Sequence, residues 1–208
     1  LSTTDPSYAQ SLHMYDQALK RINKFLEFVR EGTQPRSVLK YWEMMLVKHG
    51  IYLQEKRQLF FSFLRTVDFP FDFNVKYVIS EINQEEVDSH RDRAIAAGHF
   101  LKGPHKDDFQ VLFASDKLKN RDVSAFGSRG QQRLGVLWLK LGELQFVEKA
   151  QDQKPLFLLD DIFSELDEEA QNMVLELVGK YQTIITTANE ETEEFLKKKV
   201  KGLAVISL

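Results

Sequence analysis

Two carboxylates at the end of an apolar run are the residues of this sequence best suited to chemistry. Leu156-Phe157-Leu158-Leu159-Asp160-Asp161 reads as a strand buried on both faces, which delivers its last two side chains to the ligand crevice of an α/β sheet. There Asp160 could hold Mg²⁺ against a nucleotide phosphate, and Asp161 could orient an attacking water. Taken alone, the segment is also simply a hydrophobic strand that ends in an acidic turn. A second group, Ser128-Arg129-Gly130-Gln131-Gln132, stands at the mouth of a helix. A serine N-cap and a glycine that permits close backbone approach build an anion site from free N–H groups and the helix dipole, though ordinary helix starts use the same residues. The third group, Ser164-Glu165-Leu166-Asp167, lies just beyond the acidic pair and by itself is another helix cap.

These groups need elements to hold them. Ser128 to about Ala150 is expected to be helical, with Leu134, Leu137, Trp138, Leu141 and Leu144 on one face. Helices over Glu168 to Lys180 and Glu191 to Lys199 alternate with strands at Leu156–Leu159, Thr183–Thr187 and Leu203–Leu208. That alternation implies a largely parallel sheet with crossovers, the α/β class. Upstream, Phe73 to Ile82 alternates as a strand, and a helix follows from about Gln84 to Ala97, closed by Gly98. His99–Leu101 and Phe109–Phe113 read as short strands around the turn Gly103-Pro104-His105-Lys106-Asp107-Asp108, and Ser115-Asp116 marks a hairpin. His105, Asp107 and Asp108 could be metal ligands, but a turn held by hydrogen bonds is the better reading.

The first 70 residues read as an antiparallel helical hairpin. Asp5-Pro6 is an N-cap with proline in the first turn, and Tyr8, Leu12, Tyr15, Leu19, Ile22, Leu26 and Val29 recur at alternating steps of four and three. Gly32 and Pro35 stop that helix. The second runs from about Ser37 to Arg65, with a stripe through Trp42, Met45/Leu46, His49, Tyr52/Leu53, Lys56, Leu59/Phe60 and Phe63. A connection this short makes the two helices antiparallel neighbours. The expected domains are therefore 1–70, the hairpin, and 71–208, the α/β part.

Composition bounds the function. The 208 residues are 43% hydrophobic, enough for a packed core, and carry a net charge of −3. The charge is polarised: residues 1–66 hold 10 Lys/Arg against 6 Asp/Glu, whereas residues 141–208 hold 7 against 14. A basic tail is excluded but a local basic patch is not. The chain has no cysteine, which removes disulfides, thiolate zinc sites and cysteine nucleophiles. No apolar run approaches the ~20 residues of a membrane span, and a cytoplasmic location with no membrane partner is expected. The chain begins at Leu1, which suggests that residues precede it.

In order and spacing, SRGQQ, a long helix, LFLLDD and SELD resemble the signature motif, Walker B and D-loop of ABC-type ATPases. FGSRGQQR (126–133), LLDDIFSELD (158–167) and GPHKDD (103–108) are more specifically similar to the RecF family. The resemblance implies the C-terminal half of an ABC-type head, behind a lever-like helical hairpin. It implies that Ser128, Arg129, Gly130, Gln131 and Gln132 face ATP held by an opposite subunit. It likewise implies that Asp160 holds Mg²⁺, that Asp161 is the catalytic carboxylate, and that Asp167 lies in the D-loop at the dimer interface. Thr186 and Thr187 stand where many relatives carry a switch histidine, so a histidine sensor is not expected.

The implied partners are DNA at single-strand/double-strand junctions, a second copy in an ATP-dependent homodimer, and other recombination-mediator proteins. Lys20, Arg21, Lys24, Lys56 and Arg57 are the candidate DNA contacts. One departure is decisive. A phosphate-cradling loop needs G-x-x-x-x-G-K-[ST], and the single Gly-Lys pair, Gly179-Lys180, is followed by Tyr181. The expected function is thus the C-terminal portion of a RecF-like ATP-dependent DNA-binding protein of recombinational repair and replication restart, with the chain alone inactive as an ATPase. The alternative is a non-catalytic dimerisation or protein-interaction module derived from such an ATPase. A chromosome-structure ATPase would need longer coiled-coil arms, and a transporter subunit a conventional LSGGQ.

Overall fold

A computed structural model describes residues 1–115, 118–166 and 168–206. The chain is mixed α/β and forms two compact units: residues 1–66 with 74–110, and residues 67–73 with 111–208. Residues 74–110 therefore group with the hairpin, although they were expected to continue into the α/β part.

The first unit is built on helices α1 (Pro6–Arg30) and α2 (Leu39–Leu64), the hairpin read from the sequence, with a turn of 3₁₀ helix at Arg36–Val38 between them. Asp5 caps α1 by accepting from Tyr8 N at 3.0 Å. The seam of α1 is buried at Tyr8, Tyr15, Ala18, Ile22 and Leu26. The α2 seam differs from the expected stripe: Leu39, Glu43, Leu46, Gly50 and Leu53 face inward at alternating steps of four and three. Leu59 is 64% exposed, because it lies on the opposite side of the helix from that seam. Strand β1 (Phe73–Val78) and helix α3 (Gln84–Ala97) follow, α3 capped by Asn83 and closed by Gly98 at φ 73°. Residues 99–101, expected as a strand, form none; Phe100 is instead anchored by its N–H, which donates to Asn23 Oδ1 at 2.8 Å.

The second unit contains the short helix α4 (Val123–Phe126), the long helix α5 (Arg129–Gln151), α6 (Glu168–Val178) and α7 (Glu190–Lys199). Strands β2 (Asp108–Ser115) and β3 (Leu118–Asp122) pair antiparallel, with Leu112 opposite Asp122. The hairpin marked by Ser115-Asp116 is thus present, although residue 116 itself lies outside the described residues. Three strands follow the order β1–β2–β3, and β4 (Phe157–Asp160) pairs parallel with β5 (Thr183–Thr186). All five residues expected on the inner face of α5 are buried. Phe73 stacks on Trp138 with ring centroids 5.9 Å apart, and Gly135 lets the helix backbone come within contact of Phe73 and Val123.

Two expectations for this unit are corrected. The apolar run 156–159 is covered on one face only: Phe157 and Leu159 are buried, whereas Leu158 is 65% exposed. The cause is the strand's two-residue period, which turns Leu158 to the face opposite its buried neighbours. Residues 203–206 form no strand, and Ile206 is exposed. No helix among the described residues is long and apolar enough to cross a membrane.

In the first unit, Gly103 holds a left-handed φ of 110°, and a Cβ there would lie 2.5 Å from Tyr15 Oη and 3.0 Å from Ile82 Cδ1. Both backbone and space demand glycine. Gly103→Ala is expected to destabilise the unit by about 2–4 kcal/mol, measured by chemical denaturation, whereas Gly32→Ala, whose Cβ would meet nothing within 4 Å, should cost only the strain of its φ of 73°.

Candidate functional site

The GPHKDD turn is a structural hub. Asp107 has a side chain only 3% exposed. Its carboxylate accepts hydrogen bonds from Gln54 Nε2 and Ser80 N, each at 2.8 Å, from Arg57 Nη1 at 3.1 Å, and from Tyr77 Oη. Four donors occupy it, so burial of the charge is matched by bonds from α2, β1 and the segment after β1. The donors are not idle elsewhere: Arg57 also donates to Pro104 O at 2.6 Å and to Tyr8 Oη at 3.1 Å. His105 Nε2 donates to Phe100 O at 3.1 Å, which leaves Nδ1 to accept from Tyr15 Oη at 2.8 Å. Burial holds the His105 pKa below the ordinary imidazole value. Among the described residues no cluster of three His, Cys, Asp or Glu could hold a metal ion, and the turn carries the hydrogen bonds just described.

This network engages two of the candidate basic residues. Arg57 is spent on Asp107 and Pro104, and Lys56 lies 2.9 Å from Asp5 Oδ2. Lys20, Arg21 and Lys24 remain exposed on α1, the last with its Nζ 5.7 Å from the centre of the Phe28 ring. Sequence reasoning missed the buried polar residues of α2. Glu43 is 4% exposed and takes a two-point bond from Arg91 at 2.8 and 2.9 Å. The signal was available, since Glu43 falls on the four-three seam between Leu39 and Leu46.

The second unit holds the candidate nucleotide residues in two groups. Ser128 is the N-cap of α5, and a capping box closes around it: Ser128 Oγ accepts from Gln131 N at 3.2 Å, and Gln131 Oε1 accepts from Ser128 N at 2.9 Å. Gln132 turns back instead, its amide donating to the carbonyls of Val123, Ser124 and Gly127 at 3.3–3.4 Å. Arg129 is exposed in the first turn. A Cβ at Gly130 would meet only Ser128 Oγ, at 3.9 Å, so nothing inside the unit requires a glycine there. Phe126, two residues before the cap, is 70% exposed beneath the Arg121 guanidinium.

The other group sits at the end of the parallel strand pair. Asp160 is the last residue of β4, opposite Thr186 in register, and both side chains are exposed. Thr186 Oγ1 donates to Asp160 Oδ1. Asp161 follows in the left-handed region, φ 45° and ψ 30°, where its N–H donates to Thr186 O at 3.0 Å. Thr187 Oγ1 lies 3.5 Å from Asp161 Oδ1. A carboxylate and a hydroxyl at one strand end form a hard-oxygen donor set that suits Mg²⁺ completed by water and phosphate. Asp167 lies outside the described residues.

Two measurements follow from this geometry. Ser128→Ala removes one half of the capping box and should cost about 1 kcal/mol of stability by chemical denaturation. His105, with its folded pKa held below its unfolded value, contributes stability at neutral pH that is lost as pH falls through the unfolded pKa of about 6.5. The unfolding free energy of the chain should therefore drop between pH 7 and 5, and His105→Gln should flatten that slope; His49, also shifted down by burial, acts in the same direction.

No family model matches the chain. The DNA replication and repair protein RecF of Lachnospira eligens is 33% identical over 96% of this chain and 57% of its own. That of Bacillus cytotoxicus is 30% identical over 97% of this chain and 59% of its own. The solved structures of the recombination mediator protein RecF in the RecFOR pathway, with ATPrS and with ATP, superpose with TM-scores of 0.73 and 0.71 at 24% identity. They cover 91% of this chain and 56% and 55% of theirs. The chain thus spans little more than half the length of the relatives it matches. Over nearly its whole length the chain is similar in sequence to RecF proteins and shares their fold.

Proposed function

We propose that this chain is the C-terminal portion of an ATP-dependent DNA-binding protein that acts in recombinational repair and replication restart, and that it dimerises around nucleotide through the SRGQQ helix start. One observation carries the reading: the first turn of a 23-residue helix is fixed by a capping box while its glycine, Gly130, is left open to the outside. An internal role would not need that glycine, whereas close approach of a phosphate to the first-turn N–H groups would. The open apolar face at Leu158 and Ile184 supports the same reading, since an ATPase head covers such a strand pair on both sides.

Each residue then has a task. Ser128 holds the helix start and presents a hydroxyl beside the free N–H groups of the first turn, with Gly130 keeping the approach clear. Asp160, steadied by Thr186, would hold Mg²⁺, whose charge offsets that developing on the phosphates. Asp161 accepts a hydrogen bond from the attacking water and orients it. Lys20, Arg21 and Lys24 form the exposed basic face offered to the DNA backbone, and Asp167 belongs to the dimer interface. Other recombination mediators are the expected protein partners, in the cytoplasm. The lack of a phosphate-cradling loop in these 208 residues favours one second reading, a dimerisation module without catalysis.

Asp161→Asn in the complete protein separates the two readings. It is expected to slow hydrolysis by about 10²-fold or more while ATP binding and the ATP-dependent dimer persist, read by single-turnover kinetics and sedimentation. Unchanged hydrolysis removes Asp161 from the reaction. Calorimetry of the 208-residue chain alone with Mg²⁺ and ATP is expected to show no binding, and a clear one-site isotherm would mean that another loop replaces the missing one.

A further inference from the structure

The two carboxylates that end β4 are each faced by a hydroxyl at the end of β5. Parallel register sets Asp160 beside Thr186, and the ladder continues one residue past the strands through the bond from Asp161 N to Thr186 O. Thr186 Oγ1 donates to Asp160 Oδ1, and Thr187 Oγ1 reaches toward Asp161 Oδ1 at 3.5 Å. Adjacent strand residues ordinarily point to opposite faces. Here the left-handed backbone of Asp161 breaks that alternation, so both carboxylates meet a hydroxyl from the neighbouring strand. A non-glycine residue in that region carries backbone strain, which the surrounding bonds must hold in place.

We infer that Thr186 and Thr187 are positioning residues, Thr186 for Asp160 and Thr187 for Asp161; the inference rests on the nucleotide reading above. A hydroxyl has one proton to give. By giving it to Oδ1, Thr186 fixes the carboxylate plane of Asp160 and leaves the second oxygen for a cation. Its own lone pairs remain able to accept from a cation-bound water. Partners that orient a ligand in this way commonly govern metal affinity as strongly as a weak ligand does. Thr187, at the longer distance, holds Asp161 less firmly than Thr186 holds Asp160. The hydroxyl pair thus orients the two carboxylates without a group that titrates near neutrality.

The test uses the complete protein loaded with a slowly hydrolysed ATP analogue, with Mn²⁺ as the probe and its affinity read from the electron paramagnetic resonance of the free ion. Thr186→Val, isosteric and well suited to a strand, should weaken Mn²⁺ about tenfold or more, and Thr186→Ser should restore it. Thr187→Val should leave Mn²⁺ affinity and the KM for ATP unchanged and lower kcat about tenfold, again rescued by serine. Wild-type Mn²⁺ affinity in Thr186→Val, with affinity lost in Asp160→Asn, would overturn the role of Thr186 and leave the nucleotide reading standing. Undiminished Mn²⁺ affinity in Asp160→Asn would overturn that reading itself. Loss of kcat in both Thr187→Val and Thr187→Ser, with KM raised equally, would assign Thr187 to the fold and overturn its positioning role.

Discussion

Parallel pairing of two four-residue strands, β4 and β5, determines what the chemistry-bearing end of the second unit can be. A parallel pair cannot be joined by a tight turn; α6 and its flanking segments supply the crossover, and the register that results puts Asp160 beside Thr186. A slip of β4 by one residue would move Leu158 inward and turn Phe157 and Leu159 out to water, so the hydrophobic cost fixes the polar geometry. The carboxylates are therefore placed by Leu159 and Phe157, the apolar residues one and three positions before Asp160. Once they are so placed, the bond from Asp161 N to Thr186 O carries the chain out of the strand in the one conformation that keeps both carboxylates at the same end.

The first unit solves a different problem, how to seat a turn against a long helical hairpin. Its answer is a carboxylate withdrawn from water and met by four donors. Loss of any one donor leaves charge or polarity uncompensated, which is why such a network is far more costly to break than it is stabilising to possess. Tyr77 shows the reverse side of this coupling: burial first, and then its bond to Asp107, push its hydroxyl well above the ordinary phenol range and keep it a donor. Glu43 and Arg91 repeat the arrangement between α2 and α3 with a two-point bond.

Most of the elements were legible because their signals are local. The Asp5 and Ser128 caps, the Gly98 stop and the four-three seam of α1 each need only a few neighbouring residues, and each stands where the sequence places it. The candidate site was legible in its residues but not in its bonds. Nothing along the chain announces that Thr186 faces Asp160, since that pairing exists only through register. The α2 seam was misread because aromatic residues drew the stripe toward Trp42 and Leu59, whereas close packing chose Gly50, whose missing side chain makes room for Ile82 and Tyr15. The hub role of Asp107 was hidden for a like reason, as its partners come from 53 to 27 positions away.

The apolar stretch before Asp160 is written for a strand shielded on both sides, yet Leu156, Leu158 and Ile184 meet water at 47%, 65% and 53% exposure. A β surface of this kind is adhesive, and what opposes self-association is the net negative charge of residues 141–208, 7 Lys/Arg against 14 Asp/Glu. Salt that screens those charges removes the repulsion between molecules but leaves the adhesive strip untouched. The colloidal behaviour of the isolated chain is therefore tied to ionic strength: low salt keeps molecules apart, and high salt brings them together.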